Sequence, residues 1–328
     1  MITAGLQIEN QKQRMNWVDW MKTLGMYLIV AGHFFSVGDK YLYIFSVPVF
    51  FVISGFLNKR EADICTFVKK IVFNLFVPMS IFAFVNYCWA SLIALRAGTF
   101  DIGSLLIFAK GLLIGNQDAI GCCWFLYTLI VLKILQQITP PRFQNLTVVY
   151  LLLTTSVAAI WLATHQIYLR NAFVNIVVAY PFFIIGIWAQ RYKQVLDKKF
   201  SLWTMIFIAL LATVVVLVCA QYNGYVWVYE NGYGNNYLLY LLGGLAGTGL
   251  LYVISQLLNE IHLDWVQTIS RGSVVLLGLH VFIIRFVKLG TLLDYFSALC
   301  LTLIFIPIIK SCERYVPWVM GMYRVKKS

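Results

Sequence analysis

Apolar stretches of roughly 20 residues follow one another along most of this chain, separated by short polar connections. A backbone in hydrocarbon must satisfy its own N–H and C=O groups, which leaves only helices or a closed barrel. Strand-type alternation is absent and the stretches are long, so helices are expected. Hydrophobic residues make up 61% of the chain and charged residues 12%, where a soluble domain has about 25% charged. The expected fold is an all-α integral membrane protein, a bundle of about ten transmembrane helices. The spans read as about 17–36, 41–57, 71–95, 120–138, 146–164, 173–190, 202–221, 237–257, 272–289 and 292–310, with 100–115 as a short or re-entrant helix. That leaves no room for a soluble domain of ordinary size, so residues 1–328 read as a single transmembrane domain.

Ten spans put both termini on one side, and the basic residues give that side a name. Of the 25 lysines and arginines, 18 fall on the terminal side, six on the opposite side, and Lys22 lies inside the first span. Cytoplasmic loops carry such an excess, so both termini are expected in the cytoplasm and the protein in the cell inner (plasma) membrane. The net charge of +12 is scattered over loops and forms no basic stripe interleaved with aromatics, which argues against a nucleic-acid partner. The first 16 residues are polar and the apolar run after them lacks a small-residue cleavage site, so no cleavable signal peptide is expected. Seven cysteines show neither metal-site spacing nor a disulfide framework, and no metal is expected. Most sit in apolar segments as small packing residues; Cys122 and Cys123 are adjacent.

Ionisable residues at membrane depth are costly and suggest function. The first span, WVDWMKTLGMYLIVAGHFF, holds Asp19, Lys22 and His33. Lys22 and His33 are eleven residues apart, which brings them within roughly 20° of one helix face and some 16 Å apart along the axis. Asp19 is on the same stripe, three residues before Lys22. The ninth span, GSVVLLGLHVFIIRF, places His280 near mid-membrane, with Ser273 seven residues earlier on nearly the same face. One intramembrane histidine is more often a helix-packing residue; two, with Lys22 and Asp19, point to a polar cavity. Lys69 and Lys70, ahead of the third span, either set orientation or bind an anion such as a phosphate. Trp124 is either an interfacial anchor or a stacking surface for a sugar ring. Residues 221–237, QYNGYVWVYENGYGNNY, gather five tyrosines, a tryptophan, four asparagines and the single acid Glu230. Such a loop suits a polyhydroxylated ligand or forms an interfacial aromatic belt. Two functions fit these residues: an enzyme, or a transporter or flippase using Lys, Asp and His as an ion or proton relay. The transporter predicts inverted repeats and paired broken helices, and the sequence shows neither.

The opening stretch resembles the start of the acyltransferase-3 family of integral membrane O-acyltransferases, which includes a fucose 4-O-acetylase-like group. The matching residues are Trp17 and Asp19, then Lys22 separated by ten residues from His33 in a Gly-His pair, then VPVFFVISGFLNKR; CCWFLYTLIV, AYPFFIIGIWAQR and ISRGSVVLLGLH follow in order. Lysine stands at position 22 where the family usually has arginine. Lys69, Lys70 and Asn74 precede Pro78 where two arginines are usual. The resemblance implies transfer of an acetyl group from cytoplasmic acetyl-CoA to a hydroxyl of a cell-surface glycan or lipid-linked sugar. His33 is then the general base or the carrier of a transient acetyl group, and Asp19 the residue that orients or neutralises Lys22. Lys22, Lys69 and Lys70 are expected at the coenzyme phosphates, His280 and Ser273 as donors to the oxyanion or holders of the acceptor, and Glu230 and Trp124 at the acceptor.

Overall fold

The computed structural model describes residues 14–140, 144–193 and 200–322; within them the secondary structure is helical apart from an isolated antiparallel bridge between Asn116 and Asn171. In chain order the helices are α1 (Asn16–Gly32), α2 (Ser46–Phe56), α3 (Ile64–Arg96), α4 (Ser104–Ile114), α5 (Trp124–Ile138), α6 (Gln144–Thr164), α7 (Ile176–Arg191), α8 (Leu202–Asn223), α9 (Tyr237–Leu257), α10 (Asp264–Arg271), α11 (Ser273–Val287) and α12 (Leu293–Tyr315). Helix runs through every stretch expected from hydropathy. Among the described residues, α3, α5 with its preceding turn, α6, α8, α9 and α12 are long and apolar enough to cross a membrane, which makes this a multi-pass membrane protein. Helix α7 and the helical stretch Lys40–Phe56 that ends in α2 are shorter, and α10 and α11 form a pair bent by 83° at Gly272. Of the basic residues counted on the terminal side, Lys12, Arg142, Lys198, Lys199, Arg324, Lys326 and Lys327 lie outside the described residues.

Helix α3 begins seven residues before the expected start of the third span. The Asp63 side chain accepts the Thr66 amide at 2.7 Å and caps a turn that hydropathy alone does not reveal. Lys69 and Lys70 therefore sit on the helix and not in a loop. A π-helical turn over Val72–Phe76 follows them, a local widening common near functional sites.

Helix α1 is buried on nearly all sides and packs on α2, α9, α10, α11 and α12. Its first turns are bolted to the α9–α10 connection and to α10 itself. Asn16 Nδ2 donates to the Asn259 and Ile261 carbonyls, Trp20 Nε1 to Ile261 at 2.9 Å, and Thr23 to Val266 at 2.9 Å. Helices α2 and α7 approach so closely that Gly55 faces the Phe183 carbonyl and Gly186 the Val52 carbonyl, with no space for a Cβ on either. This is small-residue packing of the kind that joins membrane helices. One buried cluster gathers α2, α7 and α9, another the far half of α1 with α11 and α12, and Leu75 and Phe125 pack against both. Outward faces of α4, α6 and α8 expose residues such as Leu106, Leu153 and Leu210, which suits lipid contact.

Candidate active site

His33 caps the C-terminus of α1. Its Nδ1 lies 2.8 Å from the Ile29 carbonyl, and because a carbonyl can only accept, Nδ1 holds the proton and a neutral ring presents a lone pair at Nε2. His280, on α11, is fully buried and has its Nδ1 at 2.9 and 3.0 Å from the Leu276 and Leu277 carbonyls. The two rings meet edge to face at 4.7 Å. Two histidines 247 positions apart in sequence thus share one spot. His280 Nε2 has no hydrogen-bond partner among the described residues.

The loop after His33 is pinned at several points. Ser36 donates to the buried Asp294 at 2.7 Å, Tyr295 to the Val37 carbonyl at 2.8 Å, and Tyr225 to the buried Asp39 at 2.6 Å. Asp294 also accepts the amides of Leu289, Gly290 and Thr291, so its buried carboxylate is well paired. Tyr43 donates to the Gly32 carbonyl at 3.0 Å, which also accepts the Phe35 amide at 3.0 Å, so the end of α1 is held twice. Phe35 takes φ of +52°, a left-handed conformation costly for a bulky side chain, and remains 51% exposed. Its ring lies 6.2 Å from that of Tyr43 and 6.5 Å from that of His33.

A cavity of about 330 Å³ opens in front of His33. Phe35, Tyr43, Trp124, Phe125, Trp227 and Tyr229 supply aromatic walls, and Gln117, Ser273, Cys122 and Arg170 supply polar groups. Tyr225 stacks behind Trp227 at 5.6 Å with the planes 12° apart. The Asn- and Tyr-rich segment therefore folds over His33 as a wall. Its asparagines hold it there: Asn223 donates to the Tyr233 carbonyl at 2.6 Å, and the Asn231 side chain accepts the Leu169 amide at 2.8 Å. The bond to Asp39, with desolvation behind it, pushes the Tyr225 phenol up to about 12, from an ordinary value near 10. A raised phenol stabilises the fold below its unfolded value and loses that contribution as pH climbs through the folded one. The melting-temperature gap between wild type and Tyr225→Phe is accordingly expected to hold steady up to pH 10 and close as pH approaches 12; a gap that persists would refute the bond's contribution.

Of the residues singled out in the sequence, the cavity brings together His33, Ser273 and Trp124, with His280 behind His33. Glu230 is near but does not line it; it pairs with Arg170 at 3.4 Å, and Asp118 holds the same guanidinium at 2.9 Å. Asp19 makes its direct contacts elsewhere: it pairs with Arg14, at 2.5 Å to Nε and 2.9 Å to Nη2, and accepts Ser270 at 2.6 Å, while its charge still acts favourably on Lys22. A planar guanidinium fits both carboxylate oxygens, which a point-like ammonium does not, so Asp19 clamps α1 to α10 far from His33. Lys22, half-buried, has no hydrogen-bond or ion-pair partner among the described residues and lines neither large cavity.

A second cavity, about 580 Å³, lies at the other end of the bundle. Met15 lines it and Met26 lines the first, eleven residues or roughly 16 Å along α1. Lys70 belongs to its wall, paired with Glu61 at 2.6 Å; Lys69 is exposed and outside the wall. Lys59, Lys133 and Lys193 join Lys70, and Asn74 of the π-helical turn also lines the space. Lys133 donates to the Asn58 side chain at 2.8 Å. It was legible as an ionisable residue in a predicted span, whereas Gln117, Tyr43 and Arg170 carry no comparable signal.

Residues 15–311 match the acyltransferase-3 model, described as an acyltransferase domain. The chain belongs to the acyltransferase-3 family. No curated protein and no solved structure matches it. It is a membrane acyltransferase, and among its described residues no three His, Cys, Asp or Glu side chains are grouped to hold a metal ion.

Proposed function

We propose that this acyltransferase moves an acetyl group from acetyl-CoA to a hydroxyl of a saccharide, either a surface glycan or a lipid-linked sugar. The observation that carries the reading is His33: its proton is tied to the Ile29 carbonyl, so a lone pair on Nε2 is available beside a cavity walled by aromatic rings and amides. Aromatic faces suit the apolar patches of a sugar, and the polar groups suit its hydroxyls. Ten membrane crossings with cytoplasmic termini, in the plasma membrane, would put the lysine-lined cavity on the cytoplasmic side, where acetyl-CoA is made available.

In this reading His33 Nε2 removes the proton of the sugar hydroxyl as its oxygen attacks the thioester carbonyl. The C–O bond forms, the C–S bond breaks, and the imidazolium returns the proton to the departing thiolate. A positioned base contributes about 10² to 10⁴-fold to such a step. Ser273, which lines the cavity, can donate to the oxyanion. Neutral His280 cannot, since its single proton is directed at backbone carbonyls; its role is to pack against and fix the His33 ring. Lys70, as expected, with Lys133, Lys59 and Lys193 forms the coenzyme phosphate site; Lys22 and Lys69 do not line it. The donor's acyl arm then follows the seam at Leu75 and Phe125 between the two buried clusters towards His33.

The test is transfer of labelled acetyl from acetyl-CoA to glycans by the purified protein in lipid nanodiscs. Thioester consumption matched by sugar acetylation supports the reading; solute uptake without CoA release would defeat it. Lys133→Gln is expected to raise KM for acetyl-CoA about tenfold with little change in kcat, the pattern of lost uniform binding. A fall in kcat alone would place Lys133 outside the donor site.

A further inference from the structure

Gln117 is the least expected member of the cavity before His33. It is only 5% exposed and held on both sides: its backbone amide donates to the Arg170 carbonyl at 3.1 Å, and its side-chain Nε2 donates to the Tyr229 carbonyl. That carbonyl also accepts Asn175 Nδ2 at 3.0 Å, and Asn175 in turn accepts the Asn231 amide at 3.2 Å, so the support beneath Gln117 is itself braced. An amide whose nitrogen must face a carbonyl presents its oxygen the other way. Gln117 Oε1 is buried and has no hydrogen-bond partner among the described residues. A buried acceptor left unpaired forfeits the hydrogen bonds it made with water, so a donor that reaches it is strongly favoured.

His33 Nε2 is the matching case. Its ring lines the same cavity, and with Nδ1 protonated, Nε2 can only accept. The cavity therefore carries two acceptors that the described residues leave without donors. A carboxylate or phosphate, being acceptor-only, satisfies neither, whereas a polyol satisfies both. We infer that Gln117 is an acceptor-specificity residue: its Oε1 receives a second hydroxyl of the saccharide while the reacting hydroxyl donates to His33 Nε2. The inference rests on the saccharide reading above and deepens it. The site takes a sugar with two free hydroxyls in reach, and discriminates against one deoxygenated or substituted at the non-reacting position.

The experiment uses the full chain in nanodiscs with acetyl-CoA, methyl hexopyranosides of the gluco, galacto and manno series, and their monodeoxy derivatives. Transfer is followed as kcat/KM, and binding by quenching of the tryptophans, two of which, Trp124 and Trp227, line the cavity. Two positions are expected to matter in the wild type. Removing the reacting hydroxyl abolishes transfer, and removing the second lowers kcat/KM about 10- to 100-fold. In Gln117→Met, similar in length and without the amide oxygen, the parent sugar is expected to fall to the level of the second deoxy sugar, so that their ratio approaches one. A merely structural role would lower both sugars alike and preserve the ratio. The inference is overturned if no second position matters in the wild type, a result independent of how the variant folds, or if the ratio survives in the variant. Glycosides that are acetylated with the same pattern by both enzymes defeat the inference alone. Glycosides that neither bind nor react while the thioester is still consumed defeat the saccharide reading with it.

Discussion

Replacing His33 by alanine is expected to reduce acetyl transfer by about 10² to 10⁴-fold while leaving acetyl-CoA binding intact. The separation follows from the geometry. His33 faces the aromatic cavity, and the lysines assigned to the coenzyme line the other one, roughly 16 Å away along α1. His280 does not replace the missing base, because it is fully buried and does not line the cavity. The measurement is single-turnover transfer beside equilibrium binding of CoA. Full transfer by His33→Ala would remove the central residue from the mechanism; loss of CoA binding would mean that His33 holds the donor and is not the base.

Gly55→Ala is expected to have the largest effect on the fold. A Cβ at Gly55 would overlap the Phe183 carbonyl oxygen, at 2.9 Å from the carbonyl carbon and 3.1 Å from the Ile187 nitrogen. These are backbone atoms, so no side chain can swing aside. Helices α2 and α7 would have to separate, at a cost of about 1–3 kcal/mol or more for overpacking. Helix α2 carries Val47 and Phe50 to one cavity and Phe56 to the other, so the displacement reaches both sites. Gly249→Ala is the control: it lies in α9 with nothing within 4 Å of its Cβ, and is expected to be neutral or stabilising by up to about 1 kcal/mol. Thermal unfolding and folded yield of both variants test the contrast. Equal stability of the two would mean that the α2–α7 contact relaxes at little cost.

Helical membrane segments were legible because hydropathy is a local property and hydrocarbon leaves the backbone few options. The helix extending from Asp63 was less visible, since a capping bond depends on one side chain and not on a run of apolar residues. Among the site residues, His33 stood out by its cost at membrane depth and by the motif around it. Asp19 stood out for the same reason, but its direct contacts were not legible: the helical spacing that put it beside Lys22 carried no information about Arg14, in the chain before the helix, or Ser270, 251 positions away.

The sequence by itself determined a membrane-embedded bundle, the acyltransferase character of its opening helices, and an imidazole on the first of them, which the structure places at its C-terminal cap. Each follows from short-range pattern: apolar length, helical period, and the order of a few motifs. Only the tertiary structure decided which polar groups share a space. It joined His33 to His280, folded the Tyr- and Asn-rich segment over them, paired Asp19 with Arg14, and brought Lys133 to Lys70. It also left the oxygen of Gln117 without a partner among the described residues, because the carbonyl of Tyr229 takes its nitrogen. Such choices depend on contacts between residues tens to hundreds of positions apart, which no local periodicity encodes.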